Sequence, residues 1–214
     1  NMGHKCIIFD CDGVLVDSER ISANVFQTMM RELDVVLDFD VVLEQITGTS
    51  MKENLKFFSK HLGKNLPENF EPEFRKRSYR AFKTDLKPIK GVHDLLDKIK
   101  LPVGVASSGP VEKIKQNLQT TNLSNYFGEN IFSSYQIGSW KPEPEIYLHA
   151  AKSMQFKPEE CAVIEDSLVG VQAAKAGGFQ VFALSNKKHD EAFKAFGASV
   201  FSEMRELGNL LNLD

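Results

Sequence analysis

The sequence predicts an α/β fold: a doubly wound, mainly parallel sheet carrying a small inserted α-helical cap. Three observations predict it. Short runs are apolar without alternation, helical patterns lie between them, and about ninety residues after the first run look purely helical. A run without alternation implies strands buried on both faces, which a sheet covered by helices on each side provides.

Cys6-Ile7-Ile8-Phe9 is the first such run. After it, Ile21, Val25, Met29 and Leu33 form a helical stripe, and Ser50-Met51-Lys52-Glu53 is a capping-box pattern opening a helix that Gly63 ends. A third helix is expected from about Pro72 to Leu86, before Pro88 and Gly91 return the chain to alternating strand and helix. A simple crossover needs only a dozen or so residues, so residues 17–88 read as an inserted cap. Residues 1–16 and 89–214 then form the core, and Pro88 and Gly91 flank a hinge. Within the core, helices are predicted over Val92 to Lys100, Val111 to Leu118, Glu145 to Met154 and Leu168 to Ala176. Pro110 opens the second and Gly177-Gly178 closes the last. Strands are predicted at Val103 to Ala106, Ala162 to Ile164 and Val181 to Leu184.

The 214 residues carry a formal net charge of -3, with 42% hydrophobic and 26% charged residues. That balance gives no global electrostatic reason to expect nucleic acid or a membrane as partner, and a monomer is compatible with it. Cys6, Cys11 and Cys161 show neither disulfide nor zinc spacing, which points to a reducing, cytoplasmic setting. No secretory leader is expected, and Asn1 ahead of Met2 reads as an added residue. The five histidines are scattered without ligand spacing and are assigned no metal.

Chemistry collects where the strands end. In a Rossmann-like sheet, ligands bind outside the carboxyl ends of the strands. Asp10 and Asp12 follow the first strand, Ser107-Ser108-Gly109 the next, Lys141-Pro142 lies in the following loop, and Glu165-Asp166 follows a later strand. Such a set suits phosphoryl transfer. A carboxylate attacking a phosphate ester faces like-charge repulsion, so a divalent cation and a fixed positive charge must neutralise both partners. Asp10 and Asp166, with Glu165 nearby, offer hard oxygen ligands for Mg2+, Lys141 the fixed charge, and Ser107 with the amides of Ser108 and Gly109 the donors. Asp12 is left for proton work, protonating the leaving alkoxide and then deprotonating a water.

These motifs resemble the haloacid dehalogenase superfamily of phosphohydrolases, in its β-phosphoglucomutase-like branch with a small helical cap. The matching stretches are Asp10-Cys11-Asp12-Gly13-Val14-Leu15-Val16-Asp17-Ser18-Glu19, Ala106-Ser107-Ser108-Gly109, Lys141-Pro142-Glu143-Pro144, and the run from Glu165 to Gly177. By resemblance, Asp10 is nucleophile and Mg2+ ligand, and Asp12 is the acid/base that also offers its backbone carbonyl to the metal. Ser107 and Lys141 hold phosphate, and Glu165 and Asp166 are the metal-side acids. Tyr126-Phe127, Ser139-Trp140-Lys141-Pro142 and His149-Ala150-Ala151-Lys152 are similar to segments of bacterial sugar-phosphate and 6-phosphogluconate phosphatases.

The resemblance implies a Mg2+-dependent phosphatase acting on a small phosphate ester, a sugar or sugar-acid phosphate, through a phosphoaspartate. True β-phosphoglucomutases carry a histidine early in the first cap helix and an arginine just after the cap's Gly-x-Ser turn. Here Ser22 and Met51 stand at those positions, with Lys52 the nearest cation, so a hexose-phosphate mutase is the alternative reading. A receiver-like phospho-switch is the alternative of another class, opposed by the helical insertion and by Asp12. Gly48 and Lys52 are the cap's substrate-binding candidates. The basic run Arg75-Lys76-Arg77-Arg80-Lys83 reads as a solvated helix face, with contact to a sugar acid's carboxylate as its alternative.

Overall fold

The chain is described by a computed structural model covering residues 3–213, so Asn1 lies outside the described residues. Strand β1 (Cys6–Phe9) leads into four helices, α1 (Glu19–Glu32), α2 (Phe39–Ile46), α3 (Met51–Leu62) and α4 (Phe70–Asp85). Then follow α5 (Val92–Lys98), β2 (Val103–Ser107), α6 (Val111–Thr120), α7 (Ser124–Phe127), β3 (Ile131–Ser133), α8 (Ser134–Ile137) and α9 (Glu145–Ser153). The chain closes with β4 (Cys161–Glu165), α10 (Leu168–Ala176), β5 (Gln180–Leu184), α11 (Asp190–Ala195), β6 (Ser199–Phe201) and α12 (Glu206–Leu210).

The six strands form one parallel sheet in the order β3-β2-β1-β4-β5-β6. β1 is central, with Ile7 opposite both Val103 and Ala162, and all four of its residues are buried. Alternation along it feeds two apolar layers. Ile7 and Phe9 pack with α5, α6 and α12, whereas Cys6 and Ile8 pack with α9, α10 and α11. Burying one such large side chain contributes about 1.5–3 kcal/mol, so the sheet's centre is its most constrained part.

The parallel α/β sheet is as the sequence predicts, with two further strands. β3 and β6 are three residues each and carry partly exposed positions, too short and too mixed to read as buried runs. Helix α2 is also additional; the Asp38 side chain caps it, accepting from the amides of Asp40 at 2.8 Å and Val41 at 3.4 Å. Helix α3 starts and stops where its signals indicate, with Ser50 Oγ accepting from the Glu53 amide at 3.2 Å and Gly63 at φ 80°. Helix α4 begins at Phe70, because Pro72 is tolerated in a first turn that needs no amide donor.

The helices between β1 and α5 hold an apolar cluster of their own. Phe26 stacks on Phe74 with centroids 3.6 Å apart and on Phe58 at 4.5 Å. The two linkers to the sheet run side by side, with the Asp17 amide donating to Lys87 O and the Ile89 amide to Leu15 O, both at 2.9 Å. Among the described residues, no helix is long and apolar enough to cross a membrane.

Candidate active site

Asp10 is the first residue beyond β1, and its amide still donates to Ile164 O of β4 at 3.0 Å, so the sheet fixes where its carboxylate starts. Gly13 then turns the chain at φ 83°; a Cβ there would collide with the carboxylates of Asp166 and Glu19. That turn places Asp12 at the mouth of the cleft between sheet and inserted helices, its side chain 24% exposed. Asp12 Oδ1 accepts from the Ser18 hydroxyl and Oδ2 from Lys113 Nζ at 3.3 Å.

Lys141 lies beneath. Only 2% of its side chain is exposed, and its Nζ donates to Asp10 Oδ1 at 3.0 Å, Glu165 Oε1 at 2.8 Å and Ala106 O at 3.3 Å. The same ammonium lies over the Tyr147 ring, 4.9 Å from its centroid. Glu165 is fully committed as an acceptor. Its Oε1 also takes the Tyr147 hydroxyl, and its Oε2 takes the Asp166 amide at 3.1 Å, the Ser167 amide at 3.4 Å and the Ser167 hydroxyl at 3.3 Å.

Asp10, Glu165 and Asp166 bring carboxylate oxygens within 4.8 Å of one another. Asp166 Oδ1 is buried without a hydrogen-bond partner, a costly state for an acceptor unless a cation answers it. Burial pushes Asp10 up to about 7; the charge of Glu165 adds to the rise and that of Lys141 opposes it. Burial likewise pushes Glu19 up to about 8, reinforced by Asp12 and Asp10, and raises Asp166 well above the usual carboxylate range, reinforced by Glu19. Burial works against the charge on Lys141, but Asp10 and Glu165 outweigh it and hold its pKa above the ordinary lysine value. Acids crowded this way, with one oxygen unanswered, fit a hard divalent cation.

The Ser107 hydroxyl is buried and accepts from the Gly109 amide at 3.1 Å, shaping the loop from below. Ser108 and Gly109 line the cleft, and the loop is pinned by Trp140 Nε1 donating to Ser108 O at 3.1 Å and Ser133 Oγ to Gly109 O at 2.5 Å. Of the cap candidates, Gly48 lines the cleft at φ 72°, and a Cβ there would meet the Ser167 side chain, so the loop presses against the turn that follows β4. Lys52 does not line the cleft; it borders an outer groove with Leu55, Lys56 and Glu68, because α3 starts at Met51 and one further residue turns the side chain by about 100°. The basic run divides. Lys76, Arg80 and Lys83 are exposed and Arg77 pairs with Glu32 and Glu73, whereas Arg75 faces the cleft.

Four groups at the site carry no role in the sequence reading: Ser18, Glu19, Lys113 and Tyr147. Ser18 and Glu19 close the first motif, where position beside the acid pair is their only signal. Lys113 lies on a polar helix, and Tyr147 continues the apolar stripe of α9.

The model of the haloacid dehalogenase-like hydrolases matches residues 4–178, most of the chain. The chain belongs to this family. The hydrolase is 32% identical over 207 residues to the 6-phosphogluconate phosphatase of Escherichia coli, covering 96% of this chain and 94% of the relative. To the phosphorylated carbohydrates phosphatase of Thermotoga maritima it is 29% identical, covering 97% and 98%. Among solved structures, a haloacid dehalogenase-like protein from Agrobacterium tumefaciens superposes with a TM-score of 0.87 at 29% identity, covering 98% of both chains.

Proposed function

We propose that this hydrolase is a Mg2+-dependent phosphatase of small phosphorylated metabolites, sugar or sugar-acid phosphates, working in the cytoplasm through a phosphoaspartate at Asp10. One observation carries the reading: a buried ammonium, Lys141, holds one oxygen of Asp10 while a second acid, Asp12, faces the same cleft two residues on. Lys141 fixes the carboxylate's direction, so its other oxygen is the one to meet phosphorus. As the Asp10 oxygen bonds to phosphorus, the bond to the sugar oxygen breaks, and Asp12 gives that oxygen its proton. Asp12 then takes a proton from water, whose oxygen bonds to phosphorus and releases the Asp10 carboxylate with inorganic phosphate.

Asp10, Asp166 and the Asp12 carbonyl would hold Mg2+, with Glu165 adding charge from the side. The ion would neutralise the phosphoryl oxygens. Ser107, the amides of Ser108 and Gly109, and Lys141 are the proposed phosphate holders. Residues 17–88 act as a cap, with the Gly48 turn pressed on the core to exclude water. A mutase must grip a second phosphate near the cap's turn; the turn's own Thr49, Ser50 and Met51 offer no cation, and Arg75, which lines the same cleft, is already paired with Glu71, which favours water as acceptor.

The test is inorganic phosphate release from a panel of sugar phosphates, sugar-acid phosphates and nucleotides, with Mg2+ and with EDTA. Release from a few sugar phosphates, lost in EDTA, is expected. Equilibration of sugar 1- and 6-phosphates without phosphate release would replace the reading by the mutase, and no turnover of any ester would remove it.

A further inference from the structure

Arg75 differs from the rest of its basic run. Its side chain is 24% exposed, and it crosses from α4 toward α8 of the core. Its Nε and Nη2 donate to Glu71 Oε1 at 3.2 and 3.0 Å, Nη1 to the Tyr79 hydroxyl at 3.3 Å, and Nη2 to the Tyr135 hydroxyl at 2.9 Å. A guanidinium only donates, so both phenol oxygens are acceptors here. Their own O–H hydrogens then point elsewhere, and among the described residues neither finds an acceptor. One N–H of Nη1 is also uncommitted. Arg75, Tyr79 and Tyr135 all line the same cleft as Asp10 and Asp12. Three hydrogen-bond donors that no group among the described residues takes up thus lie along one wall of the cleft, with Tyr135 partly open to solvent.

We infer that Arg75, Tyr79 and Tyr135 form a receptor for a carboxylate carried by the substrate in addition to its phosphate. This rests on the phosphatase reading and narrows its substrate class to sugar-acid phosphates. Charge favours a carboxylate over a second phosphate. Glu71 already offsets part of the Arg75 charge and Lys113 is paired with Asp12, which leaves this wall matched to a monoanion better than to a dianion. The receptor spans both parts of the molecule, since Tyr135 belongs to the core and the other two to the inserted helices. A substrate bearing the carboxylate therefore completes the cleft only when the two are together.

The experiment compares 6-phosphogluconate with sorbitol 6-phosphate, which has the same carbon chain with a hydroxymethyl group for the carboxylate. In the wild-type protein, kcat/KM is expected to favour the acid by about 10- to 100-fold. Arg75→Met should bring that ratio to about one, through KM on the acid, while sorbitol 6-phosphate changes less than about threefold. Tyr135→Phe, which keeps the cation and deletes one donor, should lower the acid's kcat/KM about 3- to 10-fold and serves if the first variant folds poorly. A wild-type ratio near one, an equal loss on both substrates, or an Arg75-dependent preference for fructose 1,6-bisphosphate over the acid would overturn the receptor while leaving the phosphatase intact. Absence of phosphate release from every ester would remove both.

Discussion

The floor and the roof of the cleft are built on opposite principles. On the floor, Asp10, Glu165 and Asp166 sit at strand ends and Lys141 in the loop between α8 and α9; all four are nearly or fully buried and fix one another through short contacts that leave little freedom. The roof is formed by side chains of α1, α3 and α4, among them Phe26, Met51, Asn54 and Arg75, over an apolar cluster separate from the sheet's two layers. A reaction shared by many substrates needs charges that cannot move, whereas selection among substrates needs a wall that can differ without disturbing them. The stacked Phe26, Phe58 and Phe74 allow that wall its own stability.

Breaking the floor should have the largest effect. Lys141→Met leaves Asp10 and Glu165 as buried charges without their counter-ion, so turnover should fall about 10^3-fold or more and unfolding free energy by about 3–5 kcal/mol. Phosphate release and urea unfolding read both. A variant that loses activity with its midpoint unchanged would mean that Lys141 does not hold the acids together in the folded chain.

A smaller effect should follow from pH. The folded-state values of about 7 for Asp10 and about 8 for Glu19 lie above those of an unfolded carboxyl. Raised carboxyls contribute stability that is fully present below the unfolded value and is lost as pH rises through the folded one. Without metal, the thermal midpoint should therefore drop by about 4–8 °C between about pH 6 and about pH 9, and Mg2+ should restore most of it. A midpoint that is flat with pH, or that Mg2+ leaves unchanged at high pH, would mean that the acids do not repel one another as their burial implies.

The floor is also the part of the site most open to sequence reading. A continuous apolar run that stops at an acid gives both a strand and the direction in which its end faces, which is why Asp10 and Glu165-Asp166 are expected together and lie together, with Lys141 joining them from the loop before α9. The roof depends on helix phase, which a capping signal fixes only to within a residue. Starting α3 at Met51 sends Lys52 to the outer groove, and the phase of α4 separates Arg75 from the basic residues around it. Lys113 and Tyr147 reach the acids only through tertiary packing, so nothing near them in the chain marks them. β3 and β6 escape for a different reason: three residues with partly exposed positions carry too few apolar contacts to stand out from loops.

The central claim is that Asp10 forms a covalent bond to phosphorus. It is tested most directly by acid-quenching the protein during turnover of a good substrate, reducing with borohydride, and mapping the peptide that contains β1 by mass spectrometry. An acyl phosphate at Asp10 predicts homoserine at that position, absent without substrate and absent in Asp10→Asn. Continued phosphate release with Asp10 unreduced, or reduction at Asp12 instead, would contradict the account.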